Sequence, residues 1–196
     1  NECMENADCT DPAKPLCSAD TFTCVNNAVF FSEYVEGSSS NKAVEIYNGS
    51  TNDVDLSNYT VQSAVNGGTW ANSLTLSGTL VAGDVYVICN TNETLINDAQ
   101  CDLRRPDSGL MQFNGDDGLA LSLSGTIIDQ IGVQSADPGT GWAVAGTVDA
   151  TANHTLVRKA AVASGSTNWD VSRGTTVDDS EWIVYAQDTV SYLGAR

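Results

Sequence analysis

The sequence predicts an all-β protein, a β-sandwich preceded by a small disulfide-knotted segment, and three observations carry that expectation. Its 196 residues include 17 Gly among many Ser, Thr and Asn, a composition of short strands and tight turns rather than helices. From Val29 onward, apolar stretches of about four to eight residues recur between Gly, Asn and Asp, at the cadence of a sandwich. Four of the 6 Cys crowd into residues 1–25, where large apolar side chains are almost missing.

That first segment contains Cys3, Cys9, Cys17 and Cys24 and two prolines, so cross-links must replace the core it cannot build. Zinc is the rival reading. Structural zinc sites use Cys pairs about two to four residues apart, whereas these cysteines are more widely spaced and the only histidine, His154, is remote. Disulfides in an oxidising compartment are therefore expected, and four cysteines permit three pairings. The chain divides into a Cys-rich module, 1–25, and a sandwich domain, 26–196.

In the second part, strands are expected near 28–36, 42–48, 58–65, 73–78, 84–89, 117–123, 126–132, 155–160 and 181–185. Leu119, Leu121 and Leu123 alternate with small residues, and Ser124-Gly125 then leads into Thr126, which reads as a hairpin with a two-residue turn. Cys89 and Cys101 bracket the polar insert TNETLINDAQ and are expected to form a third disulfide. The stretch from Thr94 is the one helical turn anticipated.

Eight basic against 25 acidic residues give a net charge of −17, which repels nucleic acid and anionic bilayers. The chain begins at Asn1 and holds no apolar run long enough for membrane insertion, so a mature secreted or cell-surface product is expected. Sequons begin at Asn48, Asn58, Asn92 and Asn153, with the first glycan expected at Asn48 or Asn92, both set in turn-like sequence.

Several strings occur in a telling order: VFFSEYVEG from Val29, NKAVEIYN from Asn41, VDLSNY from Val54, FNGDDGLAL from Phe113, IDQIG from Ile128, TLVRK from Thr155 and EW at Glu181. From Ala28 to Gly194 the chain resembles the lamin tail domain in its extracellular bacterial form. That resemblance implies an immunoglobulin-like β-sandwich and a non-catalytic module for attachment or scaffolding. Arg196 stands where similar sequences often carry His. The front segment in turn resembles short Cys-rich modules of secreted proteins, which implies pairing of the first Cys with the third and the second with the fourth.

Glu33 and Glu45 sit among apolar strand residues, where a carboxylate must be paired or exposed, and Arg158 is the expected partner of Glu45. Catalytic parts are not visible. His154, the lone imidazole, lies inside a sequon, and the chain has no Gly-x-Ser-x-Gly elbow, phosphate loop or His-Glu-x-x-His. Asp53 with Asp55, and Asp116 with Asp117, form oxygen-rich turns that are candidate Ca²⁺ ligands, although such turns also arise for backbone reasons alone. Among Trp70, Trp142, Trp169 and Trp182, Trp142 on a Gly-rich loop is the expected exposed ring and candidate sugar-stacking residue, whereas Trp182 is expected in the core. The function that follows is a secreted structural or adhesive module, without a cofactor, engaging proteins including copies of itself, with the joint expected at sheet edges or the knot and involving residues 1–30. A carbohydrate- or calcium-binding accessory module is the alternative.

Overall fold

The computed structural model describes residues 3, 4, 8, 9, 16, 17, 24, 25, 28–106 and 109–196; much of the 1–25 module lies outside them. Its strands are β1 (Leu16–Cys17), β2 (Cys24–Val25), β3 (Val29–Glu36), β4 (Lys42–Asn48), β5 (Val54–Asp55), β6 (Tyr59–Ala64) and β7 (Asn72–Thr75). They continue with β8 (Thr79–Leu80), β9 (Val85–Asn90), β10 (Leu103–Arg105), β11 (Gly118–Leu123), β12 (Thr126–Ile131), β13 (His154–Arg158) and β14 (Trp182–Ala186). Among the described residues one α-helix, α1 (Trp169–Arg173), precedes β14.

Two sheets form the sandwich. One has six strands in the order β10, β9, β4, β3, β13, β14; the other has four in the order β12, β11, β6, β7. Pairing is antiparallel apart from β10 beside β9. In β6, buried Tyr59 and Val61 alternate with half-exposed Thr60 and Gln62, the pattern of a sheet with one wet face. The β11–β12 hairpin turns at Ser124 (φ 48°) and Gly125 (φ 88°), the two left-handed residues that match strand twist.

β3 reads differently, because all eight of its residues are buried. A bulge shifts its register between Phe31 and Glu33, which turns Phe31 and Tyr34 into the main core while Glu33 faces away from it. The main core lies between the sheets and holds Phe31, Tyr34, Ile46, Phe113, Trp169 and Trp182. A smaller apolar cluster lies on the opposite face of the six-stranded sheet: Val35, Ala43, Val87 and Cys89 meet Ile96 and Leu193 there. The segment after β14 thus folds back as a strap over the sheet, fixed where Gln100 Nε2 donates to the carbonyls of Val190 and Leu193.

Three disulfides are present: Cys3–Cys17, Cys9–Cys24 and Cys89–Cys101. The first two pair first with third and second with fourth, around the short β1–β2 ladder. Where strands were expected, strands lie, although the one placed at 73–78 stops at Thr75. The helical turn expected over 94–100 forms as a 3-10 turn at Asp98–Gln100, but it is not alone: others form at Leu56–Asn58 and Gly109–Met111, and α1 is a true helix. Asn168 caps α1 by accepting from Val171 N, and Arg173 sits in its last turn.

Candidate functional site

Most of the buried charged side chains lie on the six-stranded sheet. Arg158, on β13, is buried and donates Nη1 to Asp129 Oδ2 at 2.6 Å and Nη2 to Glu181 Oε2 at 2.5 Å. This corrects the expected Arg158–Glu45 pair. Arg158 passes into the core beside β12, whereas Glu45 projects from the other face and accepts from Ser32 Oγ (2.6 Å) and Gly194 N (2.7 Å). Burial holds the Glu45 carboxyl above its ordinary value, an effect opposed by those two hydrogen bonds.

Glu33 lies opposite Glu45 across the β3–β4 pair. It is 1% exposed, and its Oε1 has no hydrogen-bond partner among the described residues. Burial, reinforced by the charge of Glu45, pushes its carboxyl up to about 9. Folded Glu33 therefore keeps its proton up to about pH 9, while the unfolded chain releases it near 4.5. Folding takes up a proton in that window, so this group makes stability fall as pH rises through it. Glu33→Gln is expected to flatten the decline; urea midpoints measured from pH 5 to 9 check it.

Beside Glu33 opens a cleft of about 260 Å³, walled by Val157, Ile183 and Tyr185 and roofed by Tyr192, Ala195 and Arg196 of the strap. Nothing in the composition marks this cleft. The available signal was a carboxylate inside the otherwise apolar run of β3.

Of the candidate metal ligands, Asp116 and Asp117 converge on the side chain of Asn114, and Asp53 and Asp55 lie in a different turn. Asp53 Oδ1 accepts from Ala82 N, and Asp55 caps the 3-10 turn by accepting from Ser57 N. Asp117 is buried and accepts from Asn66 N, and burial raises the carboxyls of both Asp116 and Asp117. Among the described residues, the only set of three or more His, Cys, Asp or Glu ligand atoms within 4.8 Å is Cys3, Cys9 and Cys24, and these sulfurs are in disulfides.

Trp142, expected to be exposed, is 9% exposed and belongs to the main core, edge-on to Trp169 at 6.5 Å. Its loop folds inward because Trp142 N donates to Thr151 Oγ1, which in turn donates to Gly115 O. The sugar-stacking role loses its surface ring. Trp70 is half-buried and Trp182 fully buried. His154 is half-buried, with Nδ1 2.8 Å from the Ala152 carbonyl.

Of the sequon asparagines, Asn48 is the correction. It is fully buried, and its amide donates to the carbonyls of Asn52 and Leu80, so a glycan, which replaces one amide hydrogen, would remove at least one of these bonds and has no room beside the buried side chain. Asn58, Asn92 and Asn153 are exposed. In a glycosylating host, glycans are expected first at Asn92 and not at Asn48, and mass mapping of glycopeptides checks the assignment.

Two stacked, mainly antiparallel sheets with the crossover connections seen here define an immunoglobulin-like β-sandwich. The model of the lamin tail domain family matches residues 24–135, more than half of the chain. The chain belongs to the lamin tail domain family. It is similar in fold to the crystal structure of a DUF4876 family protein from Bacteroides thetaiotaomicron, with a TM-score of 0.53 and 9% sequence identity. That alignment covers 86% of this chain and 73% of the other. No curated protein matches the chain.

Proposed function

We propose that this chain is an extracellular, non-catalytic structural or adhesive module that binds other proteins, copies of itself among them, through open sheet edges and without a cofactor. The observation that supports the reading best is the edge inventory. β12 is covered, since Gln130 N and Nε2 donate to the carbonyls of Ser166 and Thr167. β14, β10 and β7 end their sheets with no further strand among the described residues. Ile183 on β14 is 39% exposed. Open edges present unpaired amides and carbonyls in a row, the template for strand addition.

The family and the disulfides agree with this reading. An immunoglobulin-like lamin tail domain suits protein interaction, and three disulfides suit an oxidising, extracellular setting. Among the described residues no helix is long and apolar enough to cross a membrane. The joint expected within residues 1–30 is corrected in part, because β3 lies between β4 and β13 and has no open side. The segment before residue 26 remains in the proposal, alongside β14.

A heterologous contact of edge to segment repeats head to tail, and a stable one buries more than about 1,000 Å². Deleting residues 1–25 is expected to leave a cooperative melt but no assembly, and Ile183→Lys to block assembly by charging the edge. Sedimentation and electron microscopy of native material read both. Assembly that survives both changes, or hydrolytic activity lost on changing one carboxylate, overturns the reading.

A further inference from the structure

We infer that the cleft between the strap and the six-stranded sheet is a binding site for a primary ammonium on an apolar stem, as carried by a lysine side chain or a free alkylamine. The site uses side chains on the face of the sheet, Ile183 and Tyr185 of β14 among them, and not the backbone edge of that strand.

The floor is built by strand pairing. Glu33 of β3 lies between Glu45 of β4 and Val157 of β13, and Val157 in turn pairs with Ile183 of β14. Glu45 already accepts two hydrogen bonds, whereas Glu33 Oε1 accepts none among the described residues. A buried carboxyl with open bonding capacity at the end of an apolar cleft favours a ligand with a polar head and a greasy stem. Val157 and Ile183 suit methylenes. Tyr185 and Tyr192, which line the same cleft, pack with their rings tilted by 33° and centroids 4.6 Å apart, and Tyr192 is 41% exposed. Aromatic faces attract cations, and a net charge of −17 concentrates them near the surface.

The charged and titratable groups around Glu33 are Glu45 from β4, Arg158 from β13, Tyr185 from β14, and Tyr192 and Arg196 from the strap. Neither arginine supplies the missing partner. Arg158 is engaged by Asp129 and Glu181. Arg196 lies over the rings of Phe30 and Tyr47, at 4.8 and 5.0 Å, and donates to the carbonyls of Lys159 and Val162. An ammonium is compact and carries three donors, which fits a carboxyl in a narrow cleft better than a planar guanidinium does.

Burial and Glu45 keep Glu33 protonated at neutral pH. A cation placed beside it favours the ionised form, so each ammonium bound displaces one proton. The test titrates the full chain with n-butylammonium, following Glu carboxyl carbons by NMR, and uses n-butanol as the uncharged control. Saturable binding is expected, tightening about tenfold per pH unit from roughly pH 6 toward about 9.

Glu33→Gln, which preserves shape, is expected to weaken binding at least about tenfold and to abolish the pH dependence. Tyr192→Ala is expected to weaken it with the melt unchanged. The wild-type pH dependence tests the site even if a variant folds poorly. Peptides with one central lysine or norleucine separate the sources. Binding of the lysine peptide assigns the site to a partner's side chain, and binding of butylammonium alone assigns it to small amines. No saturable binding, equal affinity for butanol, or affinity independent of pH overturns the inference.

Discussion

Arg158→Met is expected to destabilise the protein by about 3–5 kcal/mol, because it leaves a buried carboxylate without its counter-charge. The Arg158 guanidinium lies between the rings of Phe30 and Trp182, at 5.3 and 4.8 Å. Its nitrogens reach Asp129, Glu181, the Phe31 carbonyl and Ser172 Oγ. Asp129 also accepts from Phe31 N and Ser166 N, each at 2.8 Å, so one ion pair ties β3, β12, β13 and the approach to α1 together. With Met in place, Asp129 keeps its amide donors and loses its cation. For a chain of this length the melting temperature should drop by roughly 10 °C or more. Arg158→Lys should recover only part of the loss, since one ammonium cannot span two carboxylates on a planar fork. An unchanged denaturation midpoint would show that the group is not structural.

Trp142→Ala is the second large effect, also about 3–5 kcal/mol. The ring packs against Gly132, where a Cβ would stand 2.6 Å from it, and Gly132 itself has φ 71°. Gly132→Ala should therefore be costly as well, through both the close approach and the left-handed backbone. Calorimetry should show both variants melting early. If Trp142→Ala instead melted normally and lost glycan binding, the ring would be a surface ligand contact and not a core residue.

Strand positions were legible because period-two alternation and turn residues are local properties, as the β11–β12 hairpin shows. The partner of Arg158 was not legible. It depends on which strands become neighbours, and β13 meets β12 only through the packing of two sheets. A hint did exist in Ile128-Asp129-Gln130-Ile131, where a carboxylate among isoleucines calls for a buried cation. Asn48 misled for a different reason. In Asn-Gly-Ser the side chain looks turn-bound and wet, yet it substitutes for backbone donors inside the fold. The helix α1 is only five residues long, so its apolar period never develops, although Asn168 and Arg173 stand at its ends as cap and dipole partner. The cleft at Glu33 depends on a bulge and on a strap from the far end of the chain, and neither is a local pattern.

The central place of β3 has a kinetic consequence. Tyr34 Oη donates to Thr151 O, 117 residues away, and Glu45 accepts from Gly194 N, 149 residues away. Closing contacts over such separations is entropically slow, so the sheet gains its second half late in folding. Until β13 arrives, β3 presents one open side of eight apolar-rich residues with no charge except Glu33 and Glu36. Chains interrupted before residue 154 should therefore aggregate through that side, borrowing the missing strand from a neighbour.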